Sequence, residues 1–433
     1  MSNLALGISG IAALLGLIAL RVPIAFALAA VGISGIALYS GLSSAAAQIH
    51  LVLFENGTNI LLLALPMFIL MGQLINHSGI AADLFEAAYK WFGRMPGGLA
   101  VTTVIACAGF GAVTGSSPAA VATMGPMVMP EMRKYGYDLR LATGSLASAG
   151  TLAIMIPPSV ILIVYGIWTE TSIGKLFIAG IVPGLILTLL FVAFILAATT
   201  LRPAAGPRGL AFSWTERIRS LTKVLPTIVI FLIVLGGIYG GVFTPTEASA
   251  IGVLGVVAIA TVMGRLSFEI VRASLYEAGL TTAVIFLIVI GGVLLSRFLV
   301  QTHLTAFIID WIVAREANPL VVIALITIMY LILGMVLDVF GMLLLTLPFV
   351  FPVVTALGYD PVWFGIYVVV VTEIALITPP IGINVFIMRD VAPDVPLGDI
   401  FLGVLPFVLI CLAFVIMLVF YPAIALWLPG TMG

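Results

Sequence analysis

Charge is what this sequence lacks most. Only 8% of its 433 residues are Asp, Glu, Lys or Arg, against roughly a quarter in an average soluble domain. The 17 basic and 18 acidic residues leave a net charge of −1, which argues against nucleic acid as a partner. Hydrophobic residues make up 63% of the chain, and the mean hydropathy is +1.31. We therefore expect an all-α polytopic membrane protein of about ten to twelve segments in a lipid bilayer.

Cysteine and histidine are also scarce. Cys107 and Cys411 both lie in apolar runs, which predicts buried thiols. His50, His77 and His303 fall in predicted loops or interfacial segments, and no HExxH motif occurs. An intramembrane protease needs a nucleophile with a base, or a metal, so we do not expect an enzyme. A purely structural subunit would not explain carboxyls at membrane depth.

The apolar runs predict the order of the spans. Leu4 to Leu20 has no basic residue before it and Arg21 after it, so we expect a retained span rather than a signal peptide. The amphipathic segments 79–95 and 303–316 are predicted to lie along the membrane interface. The remaining unbroken spans are predicted near 23–40, 58–76, 176–201, 224–240, 245–263, 279–299 and 400–428.

Two pairs of apolar arms each surround a polar break. In residues 97–131 the break is Gly115-Ser116-Ser117-Pro118, and in residues 319–354 it lies around Asp338. Each arm of the first pair has about 16 residues, or roughly 24 Å of helix, which is short for a crossing. We therefore predict two re-entrant helical hairpins.

Two further spans are predicted to be broken. Residues 141–167 are interrupted at Gly150-Thr151 and Pro157-Pro158, and residues 361–388 at Pro379-Pro380. Such breaks free backbone groups that hydrocarbon cannot satisfy, so they must be buried in protein or face a water-filled cavity. Interrupted helices of this kind usually mark the substrate and ion site of a secondary transporter.

The second half of the sequence repeats the first at one constant offset in residue number. The pairs that share this offset are Gly136-Tyr137-Asp138 with Gly358-Tyr359-Asp360, Pro126 with Pro348, Pro130 with Pro352, Pro157-Pro158 with Pro379-Pro380, and Pro23 with Pro245. We interpret this as internal duplication. The predicted units are a first repeat over 1–201, a cytoplasmic connector over 202–223 and a second repeat over 224–433.

The count of crossings predicts that the repeats are inverted. Each half has five crossings and one hairpin, and an odd number forces opposite orientations. With both termini outside, only Lys175, Arg297 and Arg315 of the 17 basic residues remain outside. This distribution follows the positive-inside rule.

The first hairpin tip offers uncharged oxygen ligands. Ser116 and Ser117 supply hydroxyls, and Gly150-Thr151 is expected opposite them on the broken span. Such oxygens suit a hard, weakly held cation such as Na⁺. Serine and threonine are also common packing residues in membrane helices, so a structural role remains open for each of them.

In the second half, carboxyls replace some of these groups. By the offset of the repeat, Asp338 occupies the position equivalent to Ser116, and Thr372-Glu373 the position equivalent to Gly150-Thr151. A carboxyl at membrane depth is costly and usually functional, as a cation ligand or a protonatable group. Helix N-termini after the breaks favour an anionic substrate.

These motifs resemble the large membrane subunit, DctM type, of the tripartite ATP-independent periplasmic (TRAP) transporters. The resemblance lies in GSLASAGTLAIMIPPS (144–159) and EIALITPPIGINVF (373–386), and it extends to LPMFILMGQLINHSGIA (65–81) and FTPTEASA (243–250). It implies an elevator mechanism driven by a Na⁺ gradient in a bacterial inner membrane, with both termini periplasmic. The implied partners are a periplasmic substrate-binding protein and a separate small four-helix membrane subunit.

The resemblance also implies positions for the ligands. Substrates would be organic acids such as C4-dicarboxylates or sialic acids. The implied Na⁺ ligands are Ser116, Ser117, Gly150, Thr151, Asp338, Thr372 and Glu373. The implied substrate residues are Ser116, Ser117, Pro157, Ser159, Pro379 and Asn384. The tip Asp338-Val339-Phe340 is less polar than the family pattern, which leaves the exact ligands of the second cation site open. A proton-coupled carrier of the same fold and a channel-like component remain alternatives.

Overall fold

The computed structural model describes residues 3–314 and 316–432, and in these ranges the regular secondary structure is entirely helical. The helices of the first half are α1 (Asn3–Ala19), α2 (Ile24–Ser40), α3 (Leu42–Thr58), α4 (Ala64–His77), α5 (Ile80–Phe92), α6 (Gly98–Thr114), α7 (Ser117–Lys134), α8 (Leu139–Met155), α9 (Val160–Trp168) and α10 (Ile173–Leu201). Those of the second half are α11 (Trp214–Tyr239), α12 (Pro245–Val262), α13 (Phe268–Gln301), α14 (Leu304–Val313), α15 (Pro319–Leu333), α16 (Val339–Ala356), α17 (Pro361–Ile377), α18 (Ile383–Val391), α19 (Leu397–Phe420) and α20 (Ala423–Leu426).

Some helices in the second half have the same boundaries as their counterparts in the first half, shifted by the offset in residue number that relates the two sequence repeats. Helices α16 and α17 begin and end at the positions equivalent to the first and last residues of α7 and α8. One pair differs in form, because α3, a short 3₁₀ segment and α4 correspond to the single 34-residue helix α13. Asn59 causes the difference: its side chain accepts a hydrogen bond from the Leu61 backbone N–H (3.0 Å) and so starts a new helical segment.

Seven helical segments among the described residues are long and apolar enough to cross a bilayer, and α8 with α9, bent by 43°, makes an eighth. Helices α1, α2, α15 and α17 and most of α6 are apolar but have only 15–17 residues, below the roughly 20 that a full crossing needs. The expected ten to twelve segments are therefore reached only when these shorter helices are counted. The predicted all-α membrane fold, with paired hairpin arms and broken helices, is confirmed.

The helices pack in two groups. One is built around α13, which packs against α2 and α4, with α12 against α4 and α11 against α12. The other is built around α8, with α6, α7, α17, α18 and α19. The backbones of α8 and α19 lie in close contact. A Cβ atom on Gly144 would lie 2.2 Å from the Gly403 carbonyl oxygen, so this contact requires glycine.

The link between the two halves is held by hydrogen bonds. Helix α11 begins at Trp214, inside the predicted connector 202–223, after a Ser213/Glu216 capping box. Ahead of it, the Gly97 N–H donates to the Gly206 carbonyl (2.9 Å) and the Gly209 N–H to the Gly93 carbonyl (2.8 Å). We call the side of the molecule that holds this link the connector face.

Ion pairs join separate helices at the connector face. Arg265 pairs with the buried Asp83 of α5, and Lys223 of α11 pairs with Glu86 of α5 (2.8 Å). Lys90 contacts Glu86 as well, at 2.6 Å. These ion pairs therefore hold the amphipathic helix α5 against α11 and against the turn between α12 and α13.

Lys223→Ala removes an ion pair between α11 and α5 and is expected to destabilise the fold in a pH-dependent way. Hydrogen bonds from Lys223 and Lys90 lower the pKa of Glu86 below its ordinary value of 4.5. A lowered carboxyl pKa stabilises the fold at pH values above the ordinary value, and this contribution is lost as the pH falls from that value through the lowered pKa of the folded state. Both side chains are about two-fifths exposed or more, so the solvent-screened effect at neutral pH is below about 1 kcal/mol.

Thermal unfolding of the purified protein between neutral pH and about pH 3, below the ordinary carboxyl pKa, measures the effect. The Lys223→Ala protein should unfold earlier than the native chain at neutral pH, and the gap should narrow on acidification. Lys175→Ala, at an exposed position in α10, serves as the control. A gap that stayed constant with pH would show that Glu86 is not the titrating partner.

Candidate functional site

A cavity of about 360 Å³ lies between the two hairpin tips. Ser116 of the first tip and Asp338 of the second both line it, and Gln73 and Asn76 of α4 and Thr281 of α13 also contribute polar side chains. Most of the remaining lining is apolar. This lining joins residues from both packing groups.

Four helices begin at this cavity. The first residues of α7, α9, α16 and α18 contribute Pro118, Val160, Val339 and Ile383 to its wall. The first backbone N–H groups of a helix have no partner within the helix and carry partial positive charge. Their convergence makes the cavity attractive to an anion although none of its described lining residues is Lys or Arg.

The helix starts differ in how they are capped. At α7, the Ser116 hydroxyl accepts a bond from the Ala119 N–H (3.4 Å), and at α16 the Asp338 carboxylate accepts one from the Gly341 N–H (3.2 Å). At α9 and α18, the cap residues Ser159 and Gly382 make no side-chain capping bond. The broken helices therefore begin with uncapped N–H groups.

A buried polar cluster joins the first hairpin to the broken helices of both halves. The Asn384 amide donates to the Ser117 hydroxyl (2.8 Å) and to the Ala147 carbonyl (3.1 Å). Gly150 leaves room for this contact, since a Cβ there would lie 3.2 Å from the Asn384 amide nitrogen. The Glu373 carboxylate lies beside Ser117 on the other side.

Several oxygens of this region have no hydrogen-bond partner within the described ranges. They are both carboxylate oxygens of Glu373, the amide oxygen of Asn384 and the hydroxyls of Ser148 and Ser159. All four residues are at most 4% exposed. Buried polar atoms normally have partners, and the Glu373 carboxylate, the Ser117 hydroxyl and the amide of Asn384 lie together here, with oxygens of the kind that bind a hard cation. The residues present therefore fit Na⁺.

Comparison with known proteins identifies the family. Residues 11–424 match the family model described as tripartite ATP-independent periplasmic transporter, DctM component. The chain belongs to this family. It is 37% identical over 383 residues to the C4-dicarboxylate TRAP transporter large permease protein DctM of Pseudomonas aeruginosa, covering 88% of this chain and 89% of the relative.

Two further similarities agree with this assignment. The sialic acid TRAP transporter large permease protein SiaM of Vibrio cholerae is 32% identical, and the match covers 96% of each chain. The crystal structure of the YdaH transporter from Alcanivorax borkumensis has a similar fold, with a TM-score of 0.64, 14% sequence identity and 90% of each chain covered. The protein is thus a TRAP large permease subunit, and a transporter subunit rather than an enzyme.

Within this TRAP subunit, the residues predicted from sequence lie in different places. Ser116 and Asp338 face the cavity, whereas Ser117, Glu373 and Asn384 form the buried cluster. Glu373 therefore lies with the first hairpin tip, although the repeat pattern grouped it with Asp338 in the second half. No three of the described His, Cys, Asp and Glu residues lie close enough to hold a metal together, so a cation beside Glu373 would need neutral oxygens as its further ligands.

The contacts of the remaining predicted site residues do not point to a ligand. Thr151 and Thr372 bond to carbonyls of their own helices, at Ser148 (2.6 Å) and Val369 (2.9 Å). Pro157 packs near Gly180 of α10. Pro379 is exposed.

Sequence reasoning missed some residues of the site. Ser148 lies in α8 one turn before Thr151, and helical spacing places it near Gly150-Thr151. Helix α8 continues unbroken through Gly150-Thr151 to Met155, so the interruption predicted there is wrong, and the break lies at Pro157-Pro158 between α8 and α9. Asn76 of α4 accepts a bond from Thr123 of α7 (3.1 Å), which links the two packing groups beside the cavity. An asparagine within an apolar span is the sequence feature that could have identified Asn76.

Proposed function

We propose that this chain is the translocating subunit of a Na⁺-driven TRAP importer of an organic acid in a bacterial inner membrane. The single observation that carries Na⁺ coupling is the buried Glu373 carboxylate, which lies beside the Ser117 hydroxyl and has no cationic partner among the described residues. An isolated buried charge is very costly, so a bound cation would offset that cost. Ser117, Ser148 and Asn384 would supply the neutral oxygens.

The proposal includes an elevator movement. Helices α6–α9 and α15–α19 would form the transport body, and α1–α4 with α11–α13 the scaffold. The two packing groups support this division, and the cavity between them would hold the substrate. Helices α5 and α14 would link the bodies along the interface, as their positions between the groups suggest.

The proposed orientation places the connector face in the cytoplasm and both termini in the periplasm. Arg265, Lys223, Lys90 and Arg133 all pair with acidic residues of other turns or helices on the side assigned to the cytoplasm. Basic residues concentrate on the cytoplasmic side of membrane proteins. The partners would be a periplasmic binding protein, which delivers the acid, and a small four-helix membrane subunit.

Uptake by proteoliposomes tests the proposal. The permease and its small partner would be reconstituted, and candidate organic acids would be presented with the cognate binding protein, with and without an inward Na⁺ gradient. Accumulation should require Na⁺ and should fall at least about tenfold in Ser117→Ala, because the hydroxyl beside Glu373 and Asn384 is lost. Ser9→Ala, in the exposed part of α1, is the matched control.

Other outcomes distinguish the alternatives. If accumulation were driven by a proton gradient and did not depend on Na⁺, the protein would still be a carrier. Glu373 would then be the proton-binding group. Equilibration without accumulation under any gradient would indicate a channel-like component. Either result would overturn Na⁺ coupling.

A further inference from the structure

We infer that a groove between α14 and α15 holds one acyl chain of a phospholipid from the periplasmic leaflet. The groove has a volume of about 460 Å³, and its wall is formed by α14, α15, α16 and Ala317. It shares no described lining residue with the cavity at the hairpin tips. The inference therefore goes beyond the proposed function and takes from it only the orientation that assigns the leaflet.

The two halves of the molecule differ at this groove, because α5 packs directly against α6 whereas its equivalent α14 packs against α16, α13 and α1. Helix α10 also packs against α6, whereas the main neighbours of its equivalent α19 are α8 and α17. Leu99 and Thr103 of α6 are fully buried. The equivalent residues of α15, Val321 and Leu325, are 55% and 60% exposed. A helix face that protein covers in the first half is therefore open in the second half.

A peptide segment does not suit this opening. In the first half, the Gly97 N–H and the Tyr89 hydroxyl hold the backbone of residues 206–210 by hydrogen bonds. The equivalent positions of the second half are Pro319, which has no N–H, and Trp311, whose indole group has no acceptor. Backbone groups without partners are costly away from water. Two of the groups that hold a peptide in the first half therefore have no counterpart here.

A hydrocarbon chain matches the groove in charge, length and position. The described residues that line it are all aliphatic or aromatic, and none of them carries a charge. On α15 the lining extends from Val321 to Met329, about 12 Å of helix, which is close to the hydrocarbon depth of one leaflet, roughly 15 Å. The exposed Ile328 and Ile332 continue the same face of α15 as a lipid-facing surface. An acyl chain can therefore enter the groove from the surrounding leaflet.

Photolabelling with a lipid probe tests the inference. The permease and its small subunit would be reconstituted in phosphatidylethanolamine vesicles that contain a trace of the same lipid with a diazirine in one acyl chain. The protein would be extracted in mild detergent and irradiated after increasing numbers of washes, and labelled peptides would be mapped by mass spectrometry. Label on α14 and α15 should persist through at least about fivefold more washing than label on α19. The exposed Leu402 and Leu409 of α19 report on lipid that surrounds the protein without a groove.

Two variants fill the groove with a larger side chain. Leu325→Trp should reduce the retained label on α14 and α15 at least about fivefold, while label on α19 stays as in the native protein. Ile332→Trp is the matched control, since it is exposed on the same helix outside the groove. Ala317→Phe fills the groove by a smaller change, and Ala306→Phe on the exposed side of α14 is its control. Unchanged label on α19 shows that each variant is folded.

Three results would overturn the inference. In the first, label on α14 and α15 is washed out as quickly as label on α19, so that the groove meets only surrounding lipid. In the second, neither Leu325→Trp nor Ala317→Phe reduces the retained label. In the third, the groove is labelled only when the small subunit is left out, which would make it a docking surface for that subunit.

Discussion

Glu373→Gln is expected to abolish Na⁺-driven accumulation without unfolding the protein. Glutamine keeps the shape of the side chain but removes the single carboxylate of the buried cluster. The loss of an ionic contact of about 3 kcal/mol corresponds to roughly a hundredfold weaker Na⁺ binding. The measurement is the Na⁺ concentration that gives half-maximal uptake in proteoliposomes, compared with the native chain.

The stability of this variant separates a functional from a structural role. The Glu373 carboxylate is buried without a cationic partner among the described residues, so Gln, which removes the buried charge, should leave the melting temperature in Na⁺-free buffer unchanged or higher. Na⁺ should raise the melting temperature of the native protein and not that of the variant. Glu269→Gln, in the exposed first turn of α13, is the control. Unaltered Na⁺ dependence in Glu373→Gln would remove this residue from the ion site.

The duplicated architecture could be predicted because corresponding short motifs recur in the two halves of the sequence. The double prolines and the Gly-Tyr-Asp turns recur at one offset, and the helices that follow those turns, α8 and α17, keep the same spacing. Helix α3 was missed because Ser43, Gln48 and Glu55 interrupt its apolar pattern. Two of these polar residues serve the fold, since Arg297 of α13 donates hydrogen bonds to Gln48 and Glu55.

The grouping of the site was harder to predict, because it depends on contacts between the halves. The repeat places Glu373 where the first half has Thr151, and this correspondence pairs it with Asp338 in its own half. In the structure it lies beside Ser117, and Asn384 of α18 also reaches across to Ser117. Long-range packing of α17 and α18 against the first hairpin decides this arrangement, and no local pattern encodes it.

Gly403→Ala is expected to disrupt the contact between α8 and α19 and, through it, the polar cluster. A Cβ atom at this position would lie 2.1 Å from the Arg140 carbonyl oxygen of α8, far inside contact distance. Because the obstacle is backbone, the helices must separate, and overpacking of this kind costs about 1–3 kcal/mol or more. Alanine's advantage over glycine inside a helix offsets at most about 1 kcal/mol of this.

Separation of α8 from α19 should also disturb the polar cluster, because α8 carries Ala147 and Gly150, which contact Asn384. Gly403→Ala should therefore lower the melting temperature and also weaken Na⁺-dependent uptake, although it touches no proposed ligand. Gly398→Ala is the control, since it lies in the same helix and its Cβ would meet no atom within 4 Å. A Gly403→Ala protein as stable and active as this control would show that α8 and α19 can separate freely. In that case the rigid seam between the halves would not be what positions the Asn384 amide.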